Sequence, residues 1–285
     1  KDAVGDFFRK LQEEAAKQSA KLQLQALGAS EGLIDAVLGS GEEWYKVFAE
    51  VTRRGAESIA EVQALFHNVL IGVTRFFRDA PAFEDLRNNI LPKIFAGPRH
   101  DDEPYRFWIP ACSTGEEAYS IAMIEDEYVR KNDLDADYKI FASDVDEDAI
   151  KFAIKGRYTA SMVADTPKNL MVQYFDTEGA EYVVKPYLRK KVLFAVQDLI
   201  GDPPFINMDL ISCRNLLIYL EPETQQTILS TLHFALRDNG VLMLGPSESL
   251  GALKYAYRQL TRQWNIFEKE SNSHIYSGSN FNLRK

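Results

Sequence analysis

Apolar positions in the first third of the chain recur three and four residues apart. EEWYKVFAEVTRRG (42–55) and SIAEVQALFHNVLIG (58–72) show the pattern, and strand-like alternation is almost absent. This spacing predicts a run of amphipathic helices. Asp79 stands where a helix cap belongs, Pro81 falls in the first turn, and FEDLRNNILPKIF (83–95) continues the helix. The turn-rich AGPRHDDEP (96–104) then marks a domain boundary.

Beyond it the pattern changes to short apolar runs alternating with helical stretches. YRFWIPA (105–111) reads as a strand, CSTGEE as a loop and AYSIAMIEDEYVRK (118–131) as a helix with its charges on one side. YKIFASD (138–144) is a second strand ending in an acid, and the following helix is capped by Asp146 and stops at Gly156. MDLISC (208–213), a helix from Pro222 to Asn239-Gly240, VLMLGPSES and QWNIFEKE resume the alternation. This grammar predicts an open, mainly parallel α/β sheet. Residues 157–190 break it, and 177–196 are expected to form a small antiparallel subdomain inserted in the larger sheet.

In such a sheet, ligands bind beyond the carboxyl ends of the strands, the first strand-to-helix loop being the usual cofactor seat. That loop, Cys112 to Glu117, holds one glycine and two acids, which disfavours a pyrophosphate. A cofactor with a positive charge suits Glu116 and Glu117, and S-adenosylmethionine has a sulfonium and an ammonium. Complementing the dipole of a helix start explains the same acids equally well. Asp144, ending the second strand, stands where nucleotide-binding α/β folds hold ribose hydroxyls.

Composition narrows the partners. The 285 residues carry 33 Lys+Arg against 42 Asp+Glu, a formal charge of -9, which argues against nucleic acid. No apolar run is long enough for a membrane span, and the start is not a signal peptide. These features predict a cytoplasmic protein. The four histidines and two cysteines lack metal-ligand spacing, so no metal is expected. Cys112 and Cys213 end strands expected to be neighbours, so oxidation is expected to block the cofactor seat.

Four strings, in order, go beyond what packing requires: Thr74-Arg75-Phe76-Phe77-Arg78-Asp79, ACSTGEEAYSIAM (111–123), FASDVDEDAI (141–150) and Cys213-Arg214-Asn215-Leu216-Leu217-Ile218-Tyr219. Together, from about residue 60 to 268, they resemble the chemotaxis-receptor protein-glutamate O-methyltransferases. The versions within methylesterase–methyltransferase fusion proteins are the nearest likeness, which implies that the chain can be part of a larger multidomain protein.

The resemblance implies a Rossmann-like class I S-adenosylmethionine-dependent methyltransferase domain over 96–285, with the inserted β-subdomain near 177–196. An α-helical N-terminal domain and linker helix would occupy 1–95. The implied activity is methyl transfer from S-adenosyl-L-methionine to glutamates of a methyl-accepting chemoreceptor or related signalling protein, leaving S-adenosyl-L-homocysteine. Thr74 and Arg78 would meet the cofactor, Arg78 through its amino-acid carboxylate, with Gly115 in the same loop as Glu116 or Glu117, one of which would hold the ammonium. Asp144 would take the ribose, Asp198 and Leu199 would line the adenine pocket, and Arg214 and Asn215 would close the methionine end. Tyr219 would stand beside the transferring methyl, with Arg99 a second active-site candidate. Phe76 and Phe77 read as core residues. Gly72 departs from the family, which usually has Asn there. A catalytically silent cofactor-binding module and a methyltransferase with another acceptor are the competing functions.

Overall fold

The computed structural model describes residues 74–97 and 103–270, together with Lys17 and Lys21. The chain divides into two compact units, Lys1–Val73 and Thr74–Lys285. The division falls before the linker helix and not in the 96–104 loop that composition marks as the boundary. The expected N-terminal helices, Gly72 and Arg99 lie outside the described residues.

The second unit opens with a helical run of three segments: α1 (Ala80–Asp85), a π turn (Leu86–Ile90) and α2 (Leu91–Ala96). Phe83, Leu86, Ile90 and Leu91 are buried in the same core as the sheet, so apolar burial joins this run to the α/β unit. Asp79 does not cap it as expected: its backbone is left-handed (φ 62°) and its side chain makes no cap bond. The carboxylate is drawn instead to a buried guanidinium, described below.

The strands are β1 (Tyr105–Pro110), β2 (Tyr138–Asp144), β3 (Arg157–Thr159), β4 (Phe175–Glu178), β5 (Glu181–Val184), β6 (Val192–Val196), β7 (Met208–Cys213), β8 (Leu236–Leu244), β9 (Tyr257–Gln259) and β10 (Ile266–Lys269). Seven form one sheet in the order β6-β2-β1-β7-β8-β10-β9. The first five strands of that order run parallel, and β10 is antiparallel to both β8 and β9. From β1 the chain builds outward through β2 to β6, then returns to β7 on the other side. The switch in strand order, and with it the ligand crevice, lies at the carboxyl ends of β1 and β7.

Alternation along β1 divides the core between the two faces: Phe107 and Ile109 join one buried cluster, Trp108 the other. α3 (Glu116–Lys131) contributes Ala118, Tyr119, Ile121 and Ala122 to the first. α4 (Glu147–Lys155) follows β2, and α5 (Lys168–Tyr174) and α6 (Pro186–Arg189) flank the β4–β5 hairpin. α7 (Pro222–Ala235) supplies Ile228, Leu229 and Leu232 to the second cluster. It ends before Asn239-Gly240, the expected stop, because Leu236–Leu244 pairs with β7 and β10 as a strand. Phe76 and Phe77 are buried as expected, Phe76 standing edge-on to Tyr158 and Phe175.

The antiparallel strands need correction. They form a separate sheet in the order β3-β5-β4, spanning 157–184 rather than 177–196. Its hairpin turns at Gly179-Ala180, with Gly179 left-handed (φ 64°) and Glu178 opposite Glu181. Val192–Val196 leaves that group because its apolar run pairs in parallel with β2, Ile140 opposite Val192.

Candidate functional site

The loops after β1, β2, β6 and β7 bring most of the expected site residues to one edge of the sheet. After β1 the backbone is left-handed at Ala111 (φ 53°), Ser113 (φ 48°) and Gly115 (φ 93°). Gly115 is required by space as well as conformation: a Cβ there would lie 2.8 Å from Ala153 Cβ and 3.2 Å from Tyr158 Oη. Asp144, half-buried at the end of β2, fastens this loop to the next. Its Oδ2 accepts from Ser113 N–H (2.7 Å) and its Oδ1 from Asp146 N–H (3.0 Å). Each oxygen keeps a lone pair for a further donor. Asp146 caps α4 as expected, accepting from the N–H groups of Asp148 and Ala149.

The two adjacent glutamates, equivalent in sequence, separate in space. Glu116 is fully buried; its Oε2 accepts from Thr114 Oγ1 (2.7 Å) while Oε1 has no partner, and burial pushes its carboxyl from the ordinary 4.5 up to about 7. Glu116 has no exposed surface in this structure, and Glu117 is the more open of the pair. The Glu117 side chain keeps 15% exposure. Its Oε1 accepts from Ser212 Oγ (2.7 Å) and its Oε2 from Arg214 Nη1 (3.0 Å).

Arg214 is buried beside it. Its side chain is 1% exposed, and its guanidinium donates to Glu117, to the Asp79 carboxylate (2.6 Å) and to the Arg78 carbonyl (3.0 Å). It ties the Thr74–Asp79 segment to the sheet. One cation shared by two carboxylates leaves this triad with one negative charge in excess, beside the half-open Glu117. The acids that follow β1 and end β2, with Asp79 beside them, therefore fit a cofactor with a cationic amino-acid end and a ribose.

Asn215 follows with left-handed backbone (φ 59°), and Tyr219 ends a 3-10 turn (Leu217–Tyr219) with 53% exposure. Sequence reasoning missed Glu248. It is buried and accepts from the N–H groups of Asn215 (3.0 Å), Leu217 (2.7 Å) and Gly245 (2.6 Å). The Ser-Glu after a strand carries no motif signal, since its partners are backbone groups. Asp198 is exposed beyond β6 with its Oδ1 on Ile200 N–H (2.9 Å), and Leu199 is half-buried beside it. Two exposed apolar side chains that the sequence did not single out, Val145 and Ile200, adjoin Asp144 and the Asp198 turn. Thr74 and Arg78 are half-buried on the segment that Arg214 holds. Cys112 and Cys213 are both buried thiols, pushed well above their ordinary range by desolvation. That disfavours the thiolate, so the expected sensitivity to oxidation loses its physical basis. Among the described residues no three His, Cys, Asp or Glu side chains are grouped to hold a metal.

The family profile described as "CheR methyltransferase, SAM binding domain" matches residues 72–266. This chain belongs to the CheR methyltransferase family. The CheR match covers all four strings and every candidate residue from Thr74 to Tyr219, and it makes the unit an S-adenosylmethionine-binding methyltransferase domain. The chain is 33% identical over 214 residues to chemotaxis protein methyltransferase 1 of Pseudomonas aeruginosa, covering 73% of this chain and 76% of that one. It is 31% identical over 212 residues to the chemotaxis protein methyltransferase of Borreliella burgdorferi, covering 72% and 75%. It is also 36% identical over 208 residues to an uncharacterized 104.1 kDa protein of Rhodobacter capsulatus. That match covers 73% of this chain and only 22% of the longer protein.

Proposed function

We propose that this chain transfers the methyl group of S-adenosylmethionine to glutamate side-chain carboxylates of a methyl-accepting chemoreceptor. The observation that carries the reading is the half-open Glu117 carboxylate in an anionic triad at the switch point of a CheR domain. In this reading Glu117 holds the cofactor's ammonium and Arg78 its carboxylate, a task suited to a planar fork of donors. Asp144 takes the ribose hydroxyls. Asp198, Leu199, Val145 and Ile200 flank the adenine, and Thr74, Gly115 and Asn215 line the remaining wall. When bound, the cofactor supplies a methyl already activated by its sulfonium.

A glutamate acceptor with pKa about 4.3 is ionised at neutral pH and needs no general base. What remains for the protein is alignment and exclusion of water. Tyr219, exposed on its turn, is the phenol placed to orient the incoming carboxylate, with Arg99 as a further candidate outside the described residues. The three-stranded sheet β3-β5-β4 would be the family's inserted subdomain, and the expected helices of 1–73 its N-terminal domain. The reading includes a cytoplasmic setting, and no helix among the described residues is long and apolar enough to cross a membrane. The match to a 104.1 kDa relative supports membership in a larger multidomain chain.

The test is calorimetric titration with S-adenosylhomocysteine, then labelling of a chemoreceptor cytoplasmic fragment with methyl-labelled cofactor. Micromolar or tighter binding that Arg78→Ala and Asp144→Ala abolish, with alkali-labile label on the receptor, is the expected result. Absence of binding to folded protein would refute the reading, and alkali-stable label would refute the glutamyl ester.

A further inference from the structure

The turn after β7 is held at its start by a side chain remote in sequence and at its end by one from the helix that follows. At its start Glu248 accepts the N–H groups of Asn215 and Leu217, two residues apart, as an anion sits in a backbone nest. At its end Gln225 Nε2 donates to the carbonyls of Leu217 (3.0 Å) and Leu220 (2.9 Å). Glu248 is itself fixed: Asn265 Nδ2 donates to its carbonyl (2.7 Å) and to that of Gly245 (2.8 Å). The space is closed as well, since a Cβ on Gly245 would lie 2.7 Å from Glu248 Oε2 and 3.0 Å from Asn215 N. Asn215 adopts a left-handed backbone, which asparagine tolerates well, and the bonds from Glu248 select it over the alternatives open to that residue.

We infer that Glu248 is a positioning residue for the cofactor site: its carboxylate sets the left-handed conformation of Asn215 and, with Gln225, the placement of the turn bearing Tyr219. The inference rests on the reading that Asn215 contacts the cofactor. Its mechanism uses both carboxylate oxygens, Oε2 for Asn215 and Gly245 and Oε1 for Leu217. Glutamine has the same shape but a single acceptor oxygen, and its amide N–H would face a backbone N–H. E248Q is therefore a nearly isosteric probe.

The experiment is a double-mutant cycle on S-adenosylhomocysteine affinity in the whole chain, using wild type, E248Q, N215A and the pair, with thermal melts alongside. E248Q is expected to weaken binding about tenfold, and less than twofold in the N215A background, because its effect passes through Asn215. The loss in melting temperature should persist in both backgrounds. If N215A binds like wild type, the assignment of Asn215 to the cofactor fails. If N215A weakens binding and E248Q multiplies it by its full factor, the positioning inference is overturned while the cofactor reading stands. Should E248Q not fold, E248D keeps both acceptor oxygens but withdraws them by one methylene from the Asn215 and Leu217 N–H groups, and it runs the same cycle. Full multiplicativity there overturns the inference too.

Discussion

Replacing Glu116 by glutamine should make the protein more stable, increasingly so as pH rises, without harming cofactor binding. The carboxyl is raised from 4.5 to about 7 chiefly by desolvation. A raised folded-state value means the native state keeps a proton that the unfolded chain releases. The stability associated with that proton is fully present below pH 4.5 and is lost as pH rises towards about 7. At about 1.4 kcal/mol per pH unit, the wild-type penalty is under about 1 kcal/mol at pH 5 and reaches about 3 kcal/mol at pH 8. Glutamine imitates the protonated acid: its oxygen keeps the Thr114 bond, and its amide leaves one group unpartnered, as the acid does. For a unit of this size the gain translates into a rise of about 6–12 °C in melting temperature at pH 8, and about 2–3 °C at pH 5. Calorimetric melts from pH 5 to 8 measure it, and titration with S-adenosylhomocysteine should show affinity within about threefold of wild type. A difference independent of pH would refute the account of the buried carboxyl. A large loss of affinity would refute its exclusion from the site.

Glu117→Gln should behave oppositely, with affinity reduced about 10–100-fold through loss of a charge-assisted bond; unchanged calorimetric binding would exclude Glu117 as the ammonium partner. Arg214→Ala, which leaves two carboxylates facing without their buried cation, should cost about 3–5 kcal/mol in denaturant unfolding, and a loss below about 1 kcal/mol would show the tie to be weak. Glu125 is wholly buried with neither oxygen partnered, and desolvation holds its carboxyl well above the ordinary range. Its contribution is likewise lost as pH rises above the unfolded value, so Glu125→Gln should flatten the fall of melting temperature with pH, and parallel curves would contradict that. Tyr219→Phe should lower turnover in the receptor-labelling assay more than S-adenosylhomocysteine affinity; an equal loss of both would remove its role beside the methyl.

Strands β1, β2 and β7 of the parallel sheet were legible because each is a short apolar run followed by a turn and a 3.6-period helix. Tyr138–Asp144 and Met208–Cys213 lie where that pattern predicts them. The small sheet was misplaced because Arg157–Thr159, three residues without an apolar run, becomes a strand only through pairing with Glu181–Val183. Adjacent Glu116 and Glu117 are indistinguishable as text, since their roles depend on which of them meets Arg214, a residue 97 positions away from Glu117. Asp79 looked like a cap because local sequence shows the helix start and not the Arg214 guanidinium that follows β7. Glu248 was invisible because backbone donors leave no signature in residue types.

The Arg214 tie also sets where this catalytic unit can be cut and still be inherited or expressed whole. Composition invites a cut at residues 96–104, yet a fragment beginning there would strip a buried guanidinium of the Asp79 carboxylate and the Arg78 carbonyl, two of its three acceptors. The indivisible module therefore starts at or before Thr74, and recombination in the apparent linker would sever the site rather than exchange domains.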